Sequence, residues 1–225
     1  MGTSWSQEET VELDVEGPKK LPKKLPHNYQ AIINEADTPL PNEPSRLYEQ
    51  LQSGVFLNQK KKKYWIEEKT GYNCFMLFAR GLSIAWADNQ RHWSWFSMKE
   101  TSDVDVDVAN LLNVCWLEVD GIFETSNLSP NTGYEVAFVV MVEDPAYGWE
   151  VPVTLKLACP DGSVQERKER LKERPRGQWM ELNAGEFQTS VDKGGQIQFT
   201  LLDYHSQWKK GLVVKGAVIR PKNSR

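Results

Sequence analysis

The chain has 225 residues, 27 Lys+Arg against 31 Asp+Glu and a formal charge of −4, enough for one full-sized domain with an appendage. That balance excludes a polycation built around nucleic acid, and 40% hydrophobic residues with a mean hydropathy of −0.56 exclude a disordered acidic tail. Nine tryptophans point to a large aromatic core, to flat indoles kept at a surface, or to both.

The first twenty residues are acidic where a secretory signal would be apolar, and no later segment offers eighteen uncharged apolar residues. A cytoplasmic protein without a signal peptide or a membrane span is therefore expected. Gly17 to Pro26, GPKKLPKKLP, reads as an extended linker because its prolines lack backbone donors. Two short helices follow, over Asn28 to Ala36 and over Ser45 to Gln52, the second with Ser45 as N-cap and Gly54 as stop. Residues 1–63 are thus expected to form a partly disordered N-terminal extension with short helices, and residues 64–225 the main domain.

From Tyr64 onward the pattern becomes short β-like runs between turns. Strands are expected at Tyr64 to Glu67, Cys74 to Ala79, Ile84 to Trp86, Trp93 to Ser97, Val114 to Glu124, Tyr134 to Val142, Pro152 to Ala158, Gln178 to Asn183, Gln196 to Leu202 and Val213 to Arg220. Such a series implies an all-β, two-sheet antiparallel sandwich. In Val114 to Glu124, Cys115, Leu117, Val119 and Gly121 share one face, and Trp116, Glu118, Asp120 and Ile122 the other. Tyr134 to Val142 is apolar on both faces, which suits a central strand. The charged stretch 163–177 has only Val164 and Leu171 to bury and reads as a solvated excursion between strands.

The chemistry of catalysis is hard to find. Asp103, Asp105 and Asp107 lack the glycine and bidentate Glu of a calcium loop, and read as a wet edge before a short helix at Val106 to Leu112. Walker A, G-x-S-x-G, H-E-x-x-H and G-x-G-x-x-G motifs are missing, and the three histidines are scattered. No metal site, cofactor or catalytic residue is assigned. Of the three cysteines, Cys115 reads as core, whereas Cys74 follows a turn-like Gly71-Tyr72-Asn73 and is the candidate for an intermolecular disulfide.

The strongest signal is LSIAWADNQRHWSW, residues 82–95, where Trp86 and Trp93 flank a polar bend. An indole beside hydrogen-bonding groups suits an uncharged sugar ring, whose C–H face stacks while its hydroxyls bond. Trp86 and Trp93 are the expected platforms, Asp88 and Asn89 the polar partners, and Trp95 a core residue. Asp203 to Gly211 repeats the recipe, with Trp208 and Lys209 as an opposite wall.

These stretches, with LYEQLQSGVFLNQKKKKYW, GYNCFMLFARGLSIAWADNQRHWSW, NVCWLEVDGIFETSNLSPNTGYEVAFVV, QWMELNAGEF and QWKKGLVVKGAVIRP, resemble the phloem protein 2 lectins, relatives of the tobacco agglutinin, over residues 25–221. The resemblance implies a jelly-roll-like carbohydrate-binding module without catalysis. It implies binding of N-acetylglucosamine oligomers (chitooligosaccharides) and N-glycan cores, hence of glycoproteins bearing them. Homodimers and residence in phloem sieve elements and sap follow from it too, with sugar-binding tryptophans at Trp86 and Trp93. A weaker transfer from related sandwich lectins touches Trp208 and Lys209, where the preceding loop and the 163–177 insert depart from the usual pattern. The rival reading is an RNA-binding or structural phloem filament protein, using Lys60 to Lys63, the 163–177 arginines and cysteine crosslinks.

Overall fold

The computed structural model describes residues 25–191 and 194–222, so most of the proposed linker lies outside the described residues. Within them the chain forms helices α1 (Tyr29–Ile33) and α2 (Pro44–Ser53) and thirteen strands. The strands are β1 (Val55–Leu57), β2 (Lys62–Ile66), β3 (Asn73–Phe78), β4 (Ser83–Ile84), β5 (Trp93–Lys99), β6 (Asp105–Leu111) and β7 (Leu117–Glu124). They continue as β8 (Gly133–Tyr147), β9 (Val153–Ala158), β10 (Val164–Glu169), β11 (Trp179–Gln188), β12 (Gln196–Asp203) and β13 (Lys210–Pro221).

Two antiparallel sheets pack face to face. One has five strands in the order β10-β9-β12-β7-β4; the other has eight and is organised around β13. β8 runs along one edge of β13, while the other edge is shared, β6 pairing at Val213 and Val214 and β3 at Gly216 to Ile219. The register of β13 on β8 shifts between Val214 and Gly216, and a Cβ at Gly216 would strike the carbonyl of Leu77. Glycine is what lets β13 and β3 approach there.

Alternation sets which side chains fill the space between the sheets. Leu117, Val119, Gly121 and Phe123 of β7 are buried, while Glu118 and Asp120 are half-buried and Ile122 is exposed, as the sequence pattern predicts. Phe138 of β8 meets Phe199 of β12 across the layers with centroids 5.6 Å apart, and Phe75 meets Phe123 at 4.7 Å. Gly121 lies under the Phe199 ring, where a Cβ would collide. β8, apolar on both faces, is paired on both edges, by β11 and β13.

All ten expected strands are present, and β1, β6 and β10 are additional. Of residues 106–112, expected as a short helix, 106–111 belong to strand β6: it pairs with β5 and β13 and buries Val106 and Val108. Residues 164–169, expected as an excursion, form edge strand β10 on β9, solvated along most of its length, and Leu171 just beyond is fully buried. Helix α2 starts at Pro44 with Glu43 as N-cap; the Ser45 hydroxyl instead donates to Glu43 Oε1 at 2.8 Å. Ile32, Leu47 and Leu51 dock both helices on the core.

The cysteines exchange their expected roles. Cys74 is 1% exposed inside β3, because the strand begins at Asn73 and the apparent turn ends before it. Burial pushes its thiol up to about 12, so it carries little thiolate at neutral pH. Cys115, expected in the core, is only partly buried, with Sγ 3.5 Å from the carbonyl of Ser206. The crosslink assigned to Cys74 therefore has no accessible thiol in the folded chain. With a disulfide-exchange reagent at about pH 8, Cys74 is expected to stay unlabelled in the native protein and to react after denaturation. Fast native labelling mapped to Cys74 would contradict its burial.

Candidate functional site

The two candidate loops, 85–92 and 203–209, gather around the segment from Asn113 to Glu118. On one side, the Ala85 N–H donates to Glu118 O at 3.0 Å, and the His92 ring bonds Asn113 O at 2.7 Å. On the other, Val114 and Lys209 exchange backbone hydrogen bonds of 3.1 and 2.7 Å. Asn113 Oδ1 also accepts the hydroxyl of Tyr147 at 3.1 Å. One short stretch of chain thus fixes where both loops sit.

The bend between β4 and β5 folds on itself through Asn89, whose N–H donates to Trp86 O at 2.9 Å and whose carbonyl accepts from His92 and Trp93. Asn89 Oδ1 accepts the Arg91 N–H at 3.0 Å. Two indoles support the bend from beneath: Trp93 Nε1 donates to Ala85 O at 2.9 Å and Trp95 Nε1 to Ala87 O at 3.2 Å. Trp93 is 1% exposed. Its assignment as a ligand platform is therefore corrected: it opens β5 with its ring turned into the core, and its N–H is already spent on the loop. Trp95 packs against the core as expected, with the Arg80 guanidinium 3.5 Å above its ring.

Trp86 behaves differently. It is 60% exposed and its backbone is left-handed, φ 66°. That conformation costs an L-residue about 1–2 kcal/mol, and here little burial offsets it. The ring leans on His92, centroids 6.0 Å apart and planes at 60°. Beside it an open depression of about 710 Å³ is lined by Trp86, Asp88, Asn89, Gln90 and Arg91. Asp88 and Asn89 are exposed there as expected.

In the 203–209 loop, Trp208 is 52% exposed, in line with expectation, but Lys209 is not at the surface. Its ammonium is fully buried, 3.3 Å from Asp203 Oδ2, and donates to the carbonyls of Cys115 at 2.6 Å, His205 at 3.0 Å and Gln207 at 3.0 Å. The other Asp203 oxygen accepts the backbone and ring N–H of His205, both at 2.9 Å. With its donors consumed in this way, Lys209 is a structural pin and not a sugar contact.

The sequence pattern described as phloem protein 2 matches residues 72–221. The protein phloem protein 2-like A1 of Arabidopsis thaliana is 48% identical over 203 residues, covering 88% of this chain and 82% of that one. A lectin of Luffa acutangula is 44% identical over 202 residues, covering 88% and 96%.

The chain belongs to the phloem protein 2 family.

Among solved structures, a CBM22-1 xylan-binding domain from Paenibacillus barcinonensis Xyn10C aligns with 64% of this chain and 87% of its own, at 11% identity and a TM-score of 0.37, too distant to argue from. In this phloem protein 2 chain the segment between the two loops carries one exposed aromatic that the sequence reading did not assign to the site. Trp116, 62% exposed, immediately precedes β7, on the side of that strand turned away from the core together with Glu118. The signal was the alternation itself: once Leu117 faces inward, Trp116 faces out.

Two substitutions separate support from surface. Trp93→Ala should lower unfolding free energy by about 3–5 kcal/mol, as for other buried tryptophans. Lys209→Met should cost a similar ~3–5 kcal/mol by stranding the Asp203 carboxylate. Trp86→Gly, which relieves the left-handed backbone, should leave stability unchanged or raise it by about 1 kcal/mol. Chemical denaturation measures all three, and a large loss in Trp86→Gly would make Trp86 a packing residue.

Proposed function

We propose that this chain is a lectin that binds neutral oligosaccharides of N-acetylglucosamine, and glycoproteins bearing them, without transforming them. The observation that carries the reading is Trp86, a large apolar ring held in solvent at a backbone cost beside exposed Asp88 and Asn89. The Luffa relative, itself called a lectin, supports the same class. Trp86 stacks on the sugar's C–H face, Asp88 and Asn89 meet its hydroxyls and acetamide, and Trp116 and Trp208 supply further exposed indole. Residence in phloem cytoplasm and pairing into homodimers fit this reading, the second adding avidity toward branched glycans.

Magnitudes favour an oligomer over one ring. Roughly 15 heavy atoms at about 0.3 kcal/mol each give about 4.5 kcal/mol, close to millimolar affinity, so several linked rings are needed for micromolar binding. The rival, RNA binding through basic runs, meets an obstacle in how those cations are used. Lys62 pairs with Glu35, Lys63 and Lys215 with Glu100, and Arg174 with Glu169. Part of the charge those runs would offer to phosphate is thus already engaged within the chain.

Titration calorimetry with chitotriose tests the assignment. Trp86→Ala should weaken binding by about tenfold or more, and Asp88→Ala by less, with melting temperatures near that of the parent. Unchanged affinity in Trp86→Ala would remove the site. Raising salt from about 50 to about 200 mM should leave sugar affinity within about twofold, whereas binding through several phosphates would fall by orders of magnitude.

A further inference from the structure

The outer face of the five-stranded sheet carries a second depression, which the Trp86 bend does not explain. Strand register aligns Glu118 of β7 with Leu202 of β12, Leu202 with Thr154 of β9, and Thr154 with Lys168 of β10. Their neighbours Leu117, Val119, Leu201, Asp203, Val153 and Leu155 are buried, so this row faces away from the core. Past the strand ends, Trp116, Tyr204 and Pro152 continue it. Between β12, β9 and β10 the surface sinks into a hollow of about 390 Å³ whose walls include Pro152, Thr154, Lys168, Leu202, Tyr204 and His205.

The hollow combines an apolar floor with spare hydrogen-bonding groups. Leu202 and Pro152 are half-buried, and Tyr204 is 52% exposed. Tyr204 lies on the same face as Glu118, two residues past its cross-strand partner Leu202, and the nearby carboxylate pushes the phenol up to about 12. Lys168 is exposed and forms no ion pair among the described residues. His205 commits Nδ1 to Asp203, and its Nε2 has no partner among the described residues. A half-open aromatic ring flanked by uncommitted donors is the chemistry that suited a neutral sugar at Trp86.

Position links the two places. Ala85, one residue before Trp86, bonds to Glu118, and Glu118 is paired with Leu202, two residues before Tyr204, so the row from the Trp86 bend to Lys168 crosses β4, β7, β12, β9 and β10. At about 4.8 Å per strand step the row spans roughly 19 Å, too long for one ring and matched to several linked rings. We infer that the hollow at Tyr204 and Lys168 is a second saccharide subsite, continuous with the first across Trp116 and Glu118, so that one oligosaccharide spans both. This rests on the lectin reading, and it adds a requirement for ligand length.

Calorimetry on the full chain with the N-acetylglucosamine disaccharide and pentasaccharide tests it, using the parent, Tyr204→Ala and Lys168→Ala. The parent should bind the pentasaccharide more tightly. Tyr204→Ala should lose about tenfold toward the pentasaccharide and less than about twofold toward the disaccharide, with Lys168→Ala a smaller loss of the same kind. Lys168 is exposed, so that variant keeps the fold intact should Tyr204→Ala unfold. Equal losses for both sugars, or none in either variant, would overturn the subsite while leaving the Trp86 site standing. A parent that binds neither sugar would overturn the lectin reading and the subsite with it.

Discussion

A single buried ammonium holds the functional end of this protein together. Lys209 gives its charge to Asp203 and its protons to three main-chain carbonyls, from Cys115, His205 and Gln207. An isolated ammonium in such a place would cost several kcal/mol, so it persists only because every donor is met. The partners come from the 203–209 loop and from the lead-in to β7. Drawing them to one point brings Trp208, Tyr204 and Trp116 to the same end of the sandwich, next to the Trp86 bend.

The tryptophans divide between support and display. Trp93, Trp95 and Trp149 each spend the indole N–H on a backbone carbonyl, of Ala85, Ala87 and Lys210. They are rigid struts whose polar atom is already used. Trp86, Trp116 and Trp208 keep half or more of their surface in water. The difference follows backbone position: Trp93 and Trp95 lie on a strand packed over the core, whereas Trp86 occupies a left-handed turn that points its side chain away. The first group makes its surroundings rigid, and the second leaves indole faces open to solvent.

Most of the sandwich was legible in the sequence because alternation is a property of the strand itself. β7 and β8 announced their buried faces and their place in the sheet. The misreadings share a cause, which is that tertiary pairing decides what local pattern leaves open. The alternation in β6 was outweighed by its aspartates, whose charges are met by Lys99 and Arg80. Cys74 looked exposed because of the glycine before it, and Trp93 because of the polar bend before it, yet both lie at the start of strands that run directly into the core. Lys209 read as a surface cation because no sequence pattern records four oxygen atoms converging from elsewhere in the chain.

The shared edge of β13 makes the larger sheet a fork. One prong, β1 to β3, and the other, β5 and β6, leave the same side of one strand in succession, with Gly216 at the crotch. Arg80, at the end of the first prong, lies on Trp95 and pairs with Asp107 on the second, closing the gap like a clasp. Each prong holds β13 through only its own few rungs, so Arg80 is what passes strain on one prong to the other. Loss of the β5 and β6 prong would carry away the two indole struts beneath the Trp86 bend, and Trp93, Ala109 and Leu111 from the core with them.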